Sequence, residues 1–208
     1  MQSCLLGRAK RPAFPAASAE GALSGRAQRS LVSERATEEY AAVVYDLDGT
    51  LVHLDVDWQA VERDLEALLA EMGVSAGGLV AWDLLDAAEG AGIGAEADAV
   101  ICRHERDGAE RARRLPLADE LRDGVMPAAV CSLNCEAACR IALERMGLLE
   151  CVTAVVGRDT VGARKPDPAP LLCAVESLGV APAAAVFVGD AERDAETARR
   201  AGTGFRYA

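Results

Sequence analysis

Residues 41–51 read Ala41-Ala42-Val43-Val44-Tyr45-Asp46-Leu47-Asp48-Gly49-Thr50-Leu51, an apolar run that ends abruptly in two carboxylates and a glycine. Its first five residues form the continuous apolar stretch that a strand buried on both faces requires, as in a parallel sheet. Two carboxylates one residue apart at the end of such a strand can point into one polar cleft. Gly49 permits a tight turn there, and Thr50 is placed to cap the structure that follows. By itself Asp-x-Asp also suits a metal site or a solvated loop, so the rest of the chain must decide.

Downstream, residues 57–72 place Val61, Leu65, Leu68, Leu69 and Met72 at helical spacing, with Gly73 as a stop. Helical patches near 79–89 and 95–113 are joined by a glycine-rich stretch at 90–94. No strand pattern is visible between about 55 and 114, so the segment reads as a small helical insertion. After Pro116 the pattern alternates: helix 117–123, strand 126–131, helix 135–146, strand 152–156, helix 169–178, strand 184–188, helix 191–201 and a last short strand 204–207. Repeated βα units predict an α/β fold, a doubly wound, Rossmann-like parallel sheet with a small inserted helical cap. The expected division is a catalytic core at 39–54 and 115–208, a helical cap at 55–114, and a non-structural extension at 1–38. In such sheets chemistry collects at the carboxyl ends of strands, and Asp46, Ser132 and Asp190 each follow a strand directly.

Charge narrows the partners. Residues 1–30 hold five basic groups and one acid, which leaves 17 basic and 32 acidic groups on residues 31–208, a balance of −15. Such a surface repels nucleic acid and anionic lipid. No apolar run approaches the roughly 18 residues a membrane span needs. Arg8, Lys10 and Arg11 interrupt any secretory core near the start, so a cytoplasmic protein is expected. An acidic, alanine-rich body whose only lysines are Lys10 and Lys165 resembles proteins of salt-loving, halophilic cytoplasms; a GC-rich genome would give similar usage. Seven cysteines at irregular spacing form no disulfide framework. Cys131, Cys135 and Cys139 lack a further pair or a His to complete a zinc site, and read as small apolar residues at a helix start.

The hexapeptide Asp46-Leu47-Asp48-Gly49-Thr50-Leu51 resembles the first motif of the haloacid dehalogenase superfamily. Three more motifs follow in order: Ala129-Val130-Cys131-Ser132 at a strand end, Arg164-Lys165-Pro166-Asp167-Pro168 before a helix, and Gly189-Asp190-Ala191-Glu192-Arg193-Asp194. The resemblance covers residue 41 to the end, and is to subfamily I phosphatases of the phosphoglycolate phosphatase type. It implies hydrolysis of a small phosphorylated metabolite, with Asp46 as covalent nucleophile and Asp48 as acid and then base. Lys165 would neutralise charge and hold Asp46, Ser132 would hydrogen-bond a phosphoryl oxygen, and Asn134 would contact substrate or cap a helix. Mg²⁺ is the implied cofactor, held by the Asp46 and Asp190 carboxylates and the Asp48 carbonyl, with Asp194 orienting a water or Lys165. Charge supports this independently, because three carboxylates would repel a phosphate monoester unless a hard cation intervened.

Two departures stand out. Leu133 occupies a place where a small or polar residue often follows the second motif, and the insertion is short for a subfamily I cap. His53 and Arg164 read as structural or solvated more readily than as substrate contacts. Asp48 argues against dehalogenation, since a halide leaving group needs no proton. A sugar phosphomutase of the same superfamily is the nearest alternative, and a non-enzymatic phospho-Asp receiver module is a more distant one. Composition leaves the oligomeric state open.

Overall fold

Strand β1, Ala42–Tyr45, is buried along its whole length and lies at the centre of a five-stranded parallel sheet. In the computed structural model, which describes residues 40–208, the other strands are β4 (Ala128–Cys131), β5 (Ala154–Val156), β6 (Ala185–Gly189) and β7 (Gly204–Tyr207), in the order β5-β4-β1-β6-β7. All neighbours are parallel, so each crossover carries a helix: α5 (Glu136–Arg145), α6 (Ala169–Ser177) and α7 (Glu192–Ala201). The chain winds from β1 outward to β4 and β5, then returns to the opposite side for β6 and β7. The doubly wound α/β reading is the architecture observed. The extension at 1–38 lies outside the described residues.

Alternation along the strands sorts the core into two layers. Val43, Tyr45, Val130 and Val188 face the α5 side with Leu143 and Leu148. Val44, Ala129 and Phe187 face the other side with Leu171 and Val175 of α6 and Ala198 of α7. Strands buried on both faces show no polar alternation, and their short Ala/Val runs are what made them legible.

Between β1 and β4 the chain forms a two-residue strand β2 (Val52–His53), three helices, a second two-residue strand β3 (Arg113–Arg114) and the short helix α4 (Leu117–Asp123). The three helices are α1 (Trp58–Glu71), α2 (Ala81–Gly90) and α3 (Gly94–Ala109), and they build a separate cluster around Val61, Leu65, Leu69, Leu84 and Ile101. Asp57 caps α1 by accepting from the Ala60 N–H. The expectation of no strand within 55–114 is corrected by β3, which pairs antiparallel with β2 and ties together the two ends of the excursion. Two residues, both arginine, are too few and too polar to show a strand period. The helix read over 95–113 stops at Ala109 for the same reason, since the chain must turn into β3.

The cysteines also differ from the reading. Cys102 of α3 and Cys135, the residue before α5, are joined in a disulfide, while Cys131, Cys139, Cys151 and Cys173 are free thiols. A separation of 33 residues hides this pair, because only the packing of α3 against α5 brings the two together. Thr50 is buried with no hydrogen-bond partner for Oγ1, so it does not act as the cap expected. Among the described residues no helix is long and apolar enough to cross a membrane.

Candidate active site

At the carboxyl edge of the sheet, the loops after β1, β4 and β6 enclose a cavity of about 250 Å³. Asp46, Asp48, Ser132, Asn134, Lys165, Asp190 and Asp194 all line it, so every candidate site residue read from the sequence reaches one place. Asp46 directly follows β1 and donates its N–H to the Val188 carbonyl at 2.8 Å. Gly49 has φ +88°, and a Cβ there would collide with the Asp190 carboxylate, so the turn after β1 and the end of β6 close on each other only with glycine. Gly189 likewise lacks room for a Cβ beside Asp194.

Lys165 is the hub. Its buried ammonium donates to Asp46 Oδ1 at 2.9 Å, to Asp194 Oδ1 at 2.6 Å and to the Cys131 carbonyl at 3.3 Å. Burial alone would lower its pKa, but Asp46 and Asp194 outweigh that and hold it above its ordinary value. Asp46 is pushed up to about 6, first by burial, with Lys165 pulling it back and Asp194 pushing further. Asp190 is raised by burial and by Asp194. Asp194 also accepts from the Ala191 N–H at 3.1 Å, which fixes its carboxylate at the start of α7.

Asp48 Oδ1 accepts from the Leu54 N–H at 2.8 Å, and His53 Nδ1 lies 3.8 Å from the same oxygen. Ser132 Oγ donates to Asn134 Oδ1 at 3.0 Å and accepts from the Asn134 N–H at 3.2 Å, a compact turn immediately beyond β4. Arg164 turns away from the cavity and pairs with Asp86 and Glu89 of α2. Burial pushes the Cys131 thiol up to about 12, so it stays protonated beneath the site.

Residues 116–207 match the family model described as haloacid dehalogenase-like hydrolase. A phosphoglycolate phosphatase from Rhodospirillum rubrum is 38% identical over 185 residues, covering 77% of this chain and 76% of that protein. The chain belongs to the haloacid dehalogenase-like hydrolase family. An N-acetylmuramic acid 6-phosphate phosphatase from Pseudomonas putida is 32% identical over 181 residues, covering 78% of this chain and 79% of that protein. A subfamily IA haloacid dehalogenase-superfamily hydrolase from Geobacter sulfurreducens shares the fold, with a TM-score of 0.55 at 24% identity over 80% of this chain and 88% of that one. Like the two relatives named as phosphatases, the chain is a phosphatase.

As a haloacid dehalogenase-like phosphatase, the chain adds side chains that the motifs did not single out. Trp58 and Trp82, from α1 and α2, and Arg193 from α7 complete the cavity wall. Both tryptophans of the chain fall in the helical insertion, a sequence signal that could have drawn attention to them. Glu105 is fully buried on α3, where Ala97 and Ile101 precede it at four-residue intervals on the core-facing stripe. A carboxylate on an apolar stripe is a readable signal as well.

Proposed function

We propose that this phosphatase is Mg²⁺-dependent and works through an aspartyl-phosphate on Asp46, with a small phosphorylated metabolite of the phosphoglycolate class as substrate. The observation that carries this reading is the contact of one buried ammonium, Lys165, with both Asp46 and Asp194 in the cavity that Asp190 also lines. Relatives that hydrolyse phosphoglycolate or N-acetylmuramic acid 6-phosphate, as their names state, support the substrate class.

Asp46, Asp190 and Asp194 offer oxygen atoms that lie within 4.8 Å of one another. Three carboxylates against one ammonium leave excess negative charge, and an all-oxygen donor set fits a hard cation such as Mg²⁺. The Asp46 and Asp190 carboxylates and the Asp48 carbonyl would hold it, with Asp194 alongside engaged by Lys165. When bound, the ion would offset the charge of the phosphoryl oxygens.

The carboxylate of Asp46 attacks phosphorus, and the bond from phosphorus to the ester oxygen breaks. Asp48 gives its proton to the leaving oxygen, then takes a proton from the water that attacks the aspartyl-phosphate. That second displacement frees inorganic phosphate and restores both carboxyl groups. Lys165 keeps Asp46 oriented and offsets charge on the transferred group. Ser132 and Asn134 bind a phosphoryl oxygen once the hydroxyl turns from its partner. Residues 55–114 serve as a cap whose tryptophans close the cavity over the leaving group. Among the described residues, four free thiols support a cytoplasmic setting, and the Cys102–Cys135 pair is the feature that argues against it.

A phosphate-release screen with Mg²⁺ over phosphoglycolate, hexose phosphates and N-acetylmuramic acid 6-phosphate tests the reading, with EDTA as control. Turnover that persists in EDTA overturns the metal dependence. Conversion of a bisphosphorylated sugar without net phosphate release would favour the mutase alternative instead.

A further inference from the structure

We infer that Glu105, paired with Arg158, is the positioning residue that holds the phosphate-binding loop 132–135 in its working shape. The inference rests on the proposal that Ser132 and Asn134 bind the phosphoryl group. Glu105 belongs to α3, in the helical insertion, yet its carboxylate is spent entirely on the core. Oε1 accepts from Asn134 Nδ2 at 3.1 Å and Oε2 from the Cys135 N–H at 2.9 Å.

Arg158, beyond β5, supplies the counter-charge. Its side chain is only 4% exposed and the Glu105 side chain 0%, with Arg158 Nη1 2.9 Å from Glu105 Oε1. The same Nη1 donates to the Leu133 carbonyl at 2.6 Å, and the Arg158 N–H donates to the Asn134 carbonyl at 3.0 Å. Arg158 thus holds Leu133, Glu105 holds Cys135, and both hold Asn134. On its outer side Arg158 Nε meets Asp98 at 2.6 Å, and the guanidinium lies 5.5 Å from the centre of the Trp82 ring, which lines the cavity. The Cys102–Cys135 disulfide joins the same helix to the same loop one turn earlier.

The arrangement has a physical logic beyond stability. A buried ion pair is costly to desolvate and could often be replaced by apolar packing, so its presence calls for another role. Here the carboxylate accepts a hydrogen bond from the Asn134 amide and so dictates that Oδ1 faces Ser132. That holds Ser132 and Asn134 against each other, so the Ser132 hydroxyl has only to turn from Asn134 Oδ1 to donate to a phosphoryl oxygen. Arg158 cancels the charge that Glu105 would otherwise place behind an anion-binding loop. Burial raises the Glu105 pKa and Arg158 opposes that shift.

The test compares full-length wild type, Glu105→Gln, Asn134→Ala and the double variant, all with Mg²⁺. Readouts are kcat/KM for the best ester, the inhibition constant of inorganic phosphate, and the melting temperature. Glu105→Gln is expected to lower kcat/KM by up to about 10²-fold and to weaken phosphate binding, because a loop displaced by about an ångström loses that much. The double variant should be no worse than the weaker single one by more than about 2-fold, since both changes act through Asn134. Additive losses, or a lowered melting temperature with unchanged kcat/KM and phosphate inhibition, overturn the inference. Asp98→Asn loosens Arg158 only from outside and should stay within about 2-fold of wild type. A loss there equal to that of Glu105→Gln would mean that any loosening of the insertion suffices, which also overturns it. Should Glu105→Gln not fold, Arg158→Lys keeps the charge but gives up the forked contacts, and wild-type kinetics in that variant overturns the inference. If wild type hydrolyses no ester but its phosphate binding responds to Glu105→Gln, the positioning role stands and the hydrolase reading fails.

Discussion

Lys165 and Asp46 lie 119 residues apart in the chain, and Lys165 Nζ donates to Asp46 Oδ1 across 2.9 Å in a site where their side chains are 2% and 10% exposed. The same ammonium engages Asp194, whose side chain is 1% exposed. Replacing Lys165 by Met leaves two buried carboxylates without their counter-ion. The expected cost in metal-free protein is about 3–5 kcal/mol, measured by urea unfolding at neutral pH. Mg²⁺ should return part of that stability, and a variant as stable as wild type without metal would show that the pair is not the anchor of the site.

Nucleophile and acid–base roles separate kinetically. Asp46→Asn should reduce phosphate release by at least about 10⁴-fold while leaving the fold intact by circular dichroism. Asp48→Asn should slow turnover by about 10²–10⁴-fold. In that variant an acid-quenched reaction should hold phosphorylated protein, detected as a mass increase. Phosphate release at the wild-type rate from Asp46→Asn would exclude the aspartyl-phosphate route.

The raised pKa of Asp46 gives a signed pH dependence. Its folded value of about 6 lies above the ordinary carboxylate range near 4, so the metal-free folded state binds more protons than the unfolded chain between those values. This group therefore adds stability as pH falls through about 6 towards 4, and that contribution is absent above 6. With Mg²⁺ at the proposed site, protons would compete with it for the same carboxylate. The rise in melting temperature on adding Mg²⁺ should be full at pH 7.5, which lies about one and a half units above that value, and should shrink steadily below pH 6. A Mg²⁺ response independent of pH between 5 and 7.5 would place the ion elsewhere.

Salt should act through net charge. With a balance of −15 on residues 31–208, carboxylates repel across the folded body at low ionic strength. The screening length falls from about 30 Å at 0.01 M to about 3 Å at 1 M. Exposed pairs such as Arg199–Glu196 and Arg122–Asp119 are screened too, but water already weakens them. The melting temperature and activity should therefore rise with KCl towards molar concentrations. Asp190→Asn should lose the Mg²⁺ response and keep the KCl response. A flat KCl titration would favour genome composition as the source of the acidic, lysine-poor surface.

The sheet and the set of polar residues that line the cavity were legible because both are written locally. Ala42–Tyr45, Ala128–Cys131 and Ala185–Gly189 are short apolar runs, and each is followed at once by the polar residue that reaches the cavity. Parallel order then brings three carboxyl ends to one edge without further instruction. Lys165 was legible by its rarity and its motif. What packing alone decided is the company these residues keep. That Asp194 shares Lys165 with Asp46, that Glu105 and Arg158 grip the loop at 132–135, and that Cys102 meets Cys135 all depend on contacts across 24 to 119 residues. Such pairs have no sequence period, because they arise when the α1–α3 layer settles on α5 and the loop after β5, joined at its base by the two-residue strands β2 and β3. Periodicity records which face of a helix is buried; only the folded chain determines what that face is buried against.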